Sequence, residues 1–102
     1  GMHVREGHEP FEEAVKRVDG VIDCLVVGTD DDRFGQVVTA VASLTPGAQV
    51  TADDVIASVK GELAHYKAPK HVVFVAEVPR APNGKADYKT AFNLAVGSLT
   101  AD

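Results

Sequence analysis

The stretch Val21-Ile22-Asp23-Cys24-Leu25-Val26-Val27-Gly28 is followed, after the polar turn Asp30-Asp31-Asp32, by Gln36-Val37-Val38-Thr39-Ala40-Val41-Ala42-Ser43-Leu44 and a Pro46-Gly47 turn. Each run has strand length and is rich in β-branched residues, and a turn lies between them, so they read as two strands that pair as a hairpin. Working outward, Phe11, Ala14, Val15 and Val18 recur at helical spacing, which predicts an amphipathic helix from about Glu9 to Val18 that turns at Asp19-Gly20. On the other side, Thr51 and Asp54 have the spacing of a capping box, with Asp in place of the usual Glu or Gln. Val55, Ile56, Val59 and Leu63 then form one apolar helical face, which ends before Pro69 because the residue preceding a proline is pushed out of the helical region. A short third strand is expected over Lys70 to Ala76, and Asp87 is placed to cap a last helix carrying Ala91, Phe92 and Ala95. The fold class is therefore α+β: a small sheet, made of an N-terminal hairpin plus short further strands, packed with about three helices.

Composition bounds what such a chain does. With 102 residues, 45% of them hydrophobic, it supports one compact domain with a modest core. The formal net charge of -5 argues against nucleic acid as a partner, since no basic stripe is present to displace counterions from phosphates. No apolar stretch approaches the roughly 18 residues that suggest a membrane span. The one cysteine, Cys24, lies in the apolar run Cys24-Leu25-Val26-Val27, so no disulfide forms within the chain and a buried, inert thiol is expected, with a reducing cytoplasm as its setting. His65 and His71 flank a helix break with no Cys or further His at ligand spacing, and no metal site is assigned. Gly1 before Met2 has the look of an expression remnant, and His3 and His8 lie in an irregular N-terminal segment that carries no site.

Chemistry concentrates in Pro79-Arg80-Ala81-Pro82-Asn83-Gly84-Lys85. Two prolines stiffen the approach and Asn83-Gly84 supplies the positive-φ residues of a tight turn, so the loop presents the Lys85 cation from a better fixed backbone than a Gly/Ser linker would. A turn of this kind is also a common surface connection, and its neighbours decide between the two readings. Upstream stand the turn Asp31-Asp32-Arg33-Phe34-Gly35 after the first strand and the break Tyr66-Lys67-Ala68-Pro69.

These three blocks, in this order and spacing, closely resemble the C-terminal domain of the adenylate-forming (AMP-binding) superfamily, which includes acyl-CoA synthetases, adenylation domains of nonribosomal peptide synthetases and luciferases. The resemblance runs from roughly Pro10 to Leu94, and Gly84-Lys85-Ala86-Asp87-Tyr88 is closer to acyl-CoA synthetases than to peptide synthetases. It implies residues 1–9 as a leading remnant of an interdomain segment, 10–96 as the AMP-binding enzyme C-terminal domain and 97–102 as a tail. It also implies the lid domain of an ATP-dependent acid:CoA ligase of fatty acid metabolism in the cytoplasm. In that family the lysine at the position of Lys85 stabilises the adenylation transition state, with Pro82, Asn83 and Gly84 as the loop that positions it. Arg33, Gly35 and Lys67 are candidates for substrate or interdomain contact, with an architectural role as the plain alternative; Gln36 stands where many members carry Glu. ATP with magnesium, CoA and the carboxylic acid are implied for the complete enzyme, held mainly by a larger N-terminal adenylation domain, so that this domain alone binds no cofactor and is inactive. The family's glycine-rich loop before the first helix is not recognisable in Met2 to Pro10, so no residue is assigned to thioester formation. That departure favours the alternative, a free-standing non-catalytic binding module that has kept the fold. A third reading, an unrelated small α+β ligand-binding domain, predicts a dimer through an exposed sheet edge.

Overall fold

The computed structural model describes residues 9–31, 35–62 and 69–99. Helix α1 (Glu9–Lys16) leads into strand β1 (Val21–Asp31), which returns as β2 (Gly35–Leu44); helix α2 (Ala52–Glu62), strand β3 (His71–Phe74) and helix α3 (Tyr88–Leu99) follow. The sheet is three-stranded in the order β1-β2-β3. β1 and β2 are antiparallel, with Leu25 opposite Val41 and Asp31 opposite Gly35, so the expected hairpin is present and extends further than the apolar run. β3 is parallel to β2, with Thr39 opposite His71 and Ala42 opposite Phe74. A parallel neighbour requires a crossover, and α2 lies on it.

Helices on both faces explain why Cys24 to Val27 is a continuous apolar run rather than an alternating one. On one face, Cys24, Val26, Ala40 and Ala42 meet Phe11, Ala14 and Val15 of α1 and Val55 and Val59 of α2. On the other, Leu25, Val27 and Val41 meet Ala91 and Ala95 of α3 together with Val78. Cys24 is fully buried, and burial pushes its thiol well above the ordinary cysteine range, so it is an inert packing residue. Burying each of these valines stabilises the fold by about 1.5–3 kcal/mol.

The element ends follow local chemistry. The Thr51 N–H donates to Asp54 Oδ2 (3.0 Å) and the Asp54 N–H donates to Thr51 Oγ1 (3.1 Å), which is the anticipated capping box. The Thr90 N–H donates to Asp87 Oδ1 (3.0 Å) and its hydroxyl to Asp87 Oδ2 (2.7 Å), confirming Asp87 as the cap of α3 and holding its carboxyl below the usual range. α1 ends at Lys16, short of Val18, because the chain tightens into single turns, with the Val18 N–H on the Val15 carbonyl and the Val21 N–H on the Val18 carbonyl. Gly20, at φ 95°, then reverses direction and its carbonyl accepts the Thr45 N–H (2.8 Å), zipping the start of β1 to the end of β2. Of the three apolar residues placed on the last helix, Ala91 and Ala95, one helical turn apart, are buried, while Phe92 is 38% exposed. Alanines let the helix backbone approach the sheet closely, and Phe92 falls on the flank. Leu63, the last residue of the expected α2 face, lies outside the described residues.

Candidate functional site

The Lys85 loop is a small hairpin closed by an antiparallel bridge between Arg80 and Ala86. The Gly84 N–H donates to the Ala81 carbonyl (2.8 Å), making Ala81-Pro82-Asn83-Gly84 a β-turn, and the Ala81 N–H donates to the Lys85 carbonyl (2.9 Å). Pro82 occupies the second position, where its fixed φ suits the turn. Gly84 takes φ 87° and is the left-handed residue that realigns the chain after the turn. The expectation that both Asn83 and Gly84 have positive φ is corrected: among the described residues only glycines do. Asn83 contributes through its side chain instead, its Oδ1 accepting the Lys85 N–H (3.0 Å) in an Asx turn. Lys85 is thus held by its own N–H and carbonyl, while its side chain is exposed and makes no ion pair with another described residue.

Two further links tie this hairpin to β1. Arg80 donates from Nε to Asp23 Oδ2 (2.8 Å) and from Nη2 to Asp23 Oδ1 (2.7 Å), a bidentate pair, and from Nη1 to the Gly84 carbonyl (3.2 Å). The Arg80 guanidinium holds the Asp23 carboxyl below the usual carboxylate range against the opposing effect of burial. Asp23 sits just after a β-bulge at Val21/Asp23, and its Oδ1 also accepts the Cys24 N–H (2.9 Å). Beyond Lys85, the Tyr88 hydroxyl donates to Glu12 Oε2 (2.8 Å), and the same oxygen accepts the Val26 N–H (2.9 Å). Glu12 is only 7% exposed, so an α1 side chain covers a backbone donor on the open edge of β1.

Reasoning from the sequence missed these partners. A charged residue two positions into an apolar strand run marks Asp23 as unusual, but nothing local pairs it with Arg80, 57 residues away. Of the other candidates, Gly35 pairs with Asp31 at the far end of the β1–β2 hairpin, at φ 80° with open space where a Cβ would stand, so its role there is a backbone one. Asp31, the partner of Gly35, lies eight residues along β1 from Asp23, roughly 25 Å of strand, so Gly35 is at the opposite end of β1 from the residue that Arg80 grips. Arg33, Phe34 and Lys67 lie outside the described residues.

Comparison with known proteins accords with this geometry. Residues 11–85 match the family model of the AMP-binding enzyme C-terminal domain. The 3-oxocholest-4-en-26-oate--CoA ligase of Rhodococcus rhodochrous is 46% identical over 83 residues, which is 81% of this chain and 15% of that protein. Among solved structures, a fatty acyl CoA synthetase of Mycobacterium tuberculosis superposes with a TM-score of 0.79 at 26% identity, covering 87% of this chain and 18% of that one. ATP-bound MatB of Rhodopseudomonas palustris superposes with a TM-score of 0.75 at 31% identity, covering 81% and 16%. The chain therefore spans a small part of these enzymes, and no described helix is long and apolar enough to cross a membrane. The match to that family model and the 46% identity over 81% of the chain place it in the AMP-binding enzyme C-terminal domain family.

Proposed function

We propose that this domain is the lid of an ATP-dependent acid:CoA ligase and that Lys85 stabilises the transition state of carboxylate adenylation. In that step a carboxylate oxygen attacks the α-phosphorus of ATP, a new C–O–P linkage forms, the α–β phosphoanhydride breaks and pyrophosphate leaves with the bonding electrons. Negative charge grows on the bridging and departing oxygens. An ammonium on a long stem, carried by a fixed backbone, is suited to meet that charge in a cleft closed by another domain. The single observation that carries the reading is the Lys85 hairpin: its backbone is bonded at both N–H and carbonyl while its cation projects outward.

The larger N-terminal domain is the partner this reading requires, as the chain covers only 15% of the Rhodococcus ligase. ATP, its magnesium, CoA and the acid are assigned mainly to that domain. Lys85 suits the phosphate end of such a ligand, and the described residues include no group of three or more His, Cys, Asp or Glu side chains arranged to hold a metal. Gly35 lies at the end of β1 away from Asp23, roughly 25 Å of strand, which suits a lid that presents different surfaces in successive steps.

The test is acid-dependent ATP–pyrophosphate exchange by this chain joined to its larger domain. Lys85→Ala is expected to lower the exchange rate by about 10²–10³-fold, the loss seen when one oriented donor is removed from a developing anion. Exchange indifferent to Lys85 would move the assignment to the non-catalytic binding module.

A further inference from the structure

We infer that Asp23 and Arg80 are positioning residues for Lys85, forming a strut that fixes the lysine hairpin to the sheet; the inference rests on the role proposed above for Lys85. The bonds within the hairpin give it a shape but no orientation. The Gly84 N–H to Ala81, the Ala81 N–H to Lys85, and the Lys85 N–H to Asn83 all begin and end inside residues 81–85. Among the described residues, Arg80 bonds in both directions through one side chain: Nη1 to the carbonyl of Gly84, the residue before Lys85, and Nε and Nη2 to Asp23 on β1. The planar fork makes the two attachments mutually rigid, because all three donors lie in one plane. Asp23 is itself held, its Oδ1 accepting the Cys24 N–H beside the bulge, and Cys24 is fully buried in the core. The chain of rigid connection thus runs from the core through Asp23 and Arg80 to the peptide that carries Lys85.

Solvent access argues that this pair serves geometry more than stability. The Arg80 side chain is 34% exposed and that of Asp23 22%, and pairs open to water contribute at most about 1 kcal/mol. Positioning is far more demanding, since a displacement of about 1 Å at a reacting centre costs on the order of 100-fold in rate.

Two measurements on the same variants decide the matter. In the 102-residue chain, backbone ¹⁵N relaxation is expected to show the Gly84 and Lys85 amides ordered in the native protein (order parameter about 0.85) and loosened toward 0.6 in Arg80→Met, with Tm shifted by only a few degrees. In the chain joined to its larger domain, Arg80→Met is expected to lower kcat of ATP–pyrophosphate exchange by about 10–100-fold with KM for ATP nearly unchanged. Arg80→Lys is the informative conservative variant: it keeps the charge but loses the fork, so it should resemble Arg80→Met. Loop amides as ordered in Arg80→Met as in the native chain overturn the inference, and so does full exchange activity in Arg80→Lys. Lys85→Ala runs alongside: exchange indifferent to Lys85 sinks the lid reading itself, and the strut then stands or falls on amide order alone.

Discussion

The Tyr88 hydroxyl and the Glu12 carboxylate, 76 residues apart in the chain, meet at 2.8 Å across the open edge of β1 and so join helices that pack on opposite faces of the sheet. The same Glu12 oxygen accepts the N–H of Val26, a donor that β2 does not use. One buried acceptor thereby satisfies an edge donor and fixes the start of α3, three residues after Lys85.

Removing the two partners is expected to have unequal effects. Tyr88→Phe deletes one hydrogen bond and should cost about 1–2 kcal/mol, whereas Glu12→Ala also strips the Val26 N–H of its acceptor and should cost about 3 kcal/mol. Amide exchange at Val26 separates them: protection falls steeply in Glu12→Ala and persists in Tyr88→Phe. Equal exchange in both variants would mean that the Val26 N–H does not depend on Glu12.

A second polar pair lies inside the fold. Thr29 and Thr39 are 1% and 0% exposed and their hydroxyl oxygens stand 2.9 Å apart between β1 and β2. Either Thr→Val change alone leaves a buried hydroxyl without this partner and should cost about 1–3 kcal/mol, whereas the double variant removes both groups at similar shape. Chemical denaturation is expected to give a double variant less destabilised than the sum of the singles, by about 1 kcal/mol. Additive costs would show that the two hydroxyls do not depend on each other.

Asp23 gives the pH dependence a sign. Its folded-state carboxyl lies below its ordinary value, chiefly because Arg80 donates to it, with the Cys24 N–H and the more distant charge of Lys16 acting the same way. A depressed carboxyl contributes stability that is fully present above the unfolded value near 3.9 and is lost as pH falls through the folded value. Denaturation midpoints should therefore drop between about pH 5 and the acid limit, and in Asp23→Asn that drop should be smaller. An identical acid slope in the two proteins would remove Asp23 from the account.

What the sequence made legible was local. The hairpin, the Thr51–Asp54 capping box, the Asp87 cap and the buried Cys24 each follow from residues within a few positions of one another. Lys85 and its turn were legible for the same reason, since Pro82 and Gly84 announce a backbone conformation. The parallel placement of β3 and the division of the helices between two faces depend on packing between distant segments, which periodicity alone does not encode. The last helix shows the limit: Ala91, Phe92 and Ala95 were all placed on it, but which of them meets the sheet is set by packing, and only the two alanines are buried. Asp23 and Arg80 appear in the sequence only as two charges, and their pairing is a product of the fold.

Two glycines of similar φ separate stability from function. Gly20 (φ 95°) and Gly84 (φ 87°) both occupy the left-handed region, where an L side chain costs about 1–2 kcal/mol. Their surroundings differ. A Cβ at Gly20 would stand 3.0 Å from Val50 Cγ2 and 3.1 Å from the Ala48 Cβ, so Gly20→Ala adds overpacking against the α1/α2 side of the core and should cost roughly 2–4 kcal/mol in all. A Cβ at Gly84 meets nothing within 4 Å, so Gly84→Ala should lose little beyond the backbone cost. The Gly84 carbonyl, however, accepts the Arg80 Nη1 donor and its N–H closes the turn, so relaxing φ toward negative values re-aims the peptide that carries Lys85. Thermal melts and ATP–pyrophosphate exchange on the joined enzyme are expected to rank the two variants in opposite orders. Gly20→Ala should have the lower Tm but near-native exchange at temperatures where it is folded, and Gly84→Ala the higher Tm but the slower exchange. The same ranking in both assays would show that the conformation at Gly84 matters only to folding.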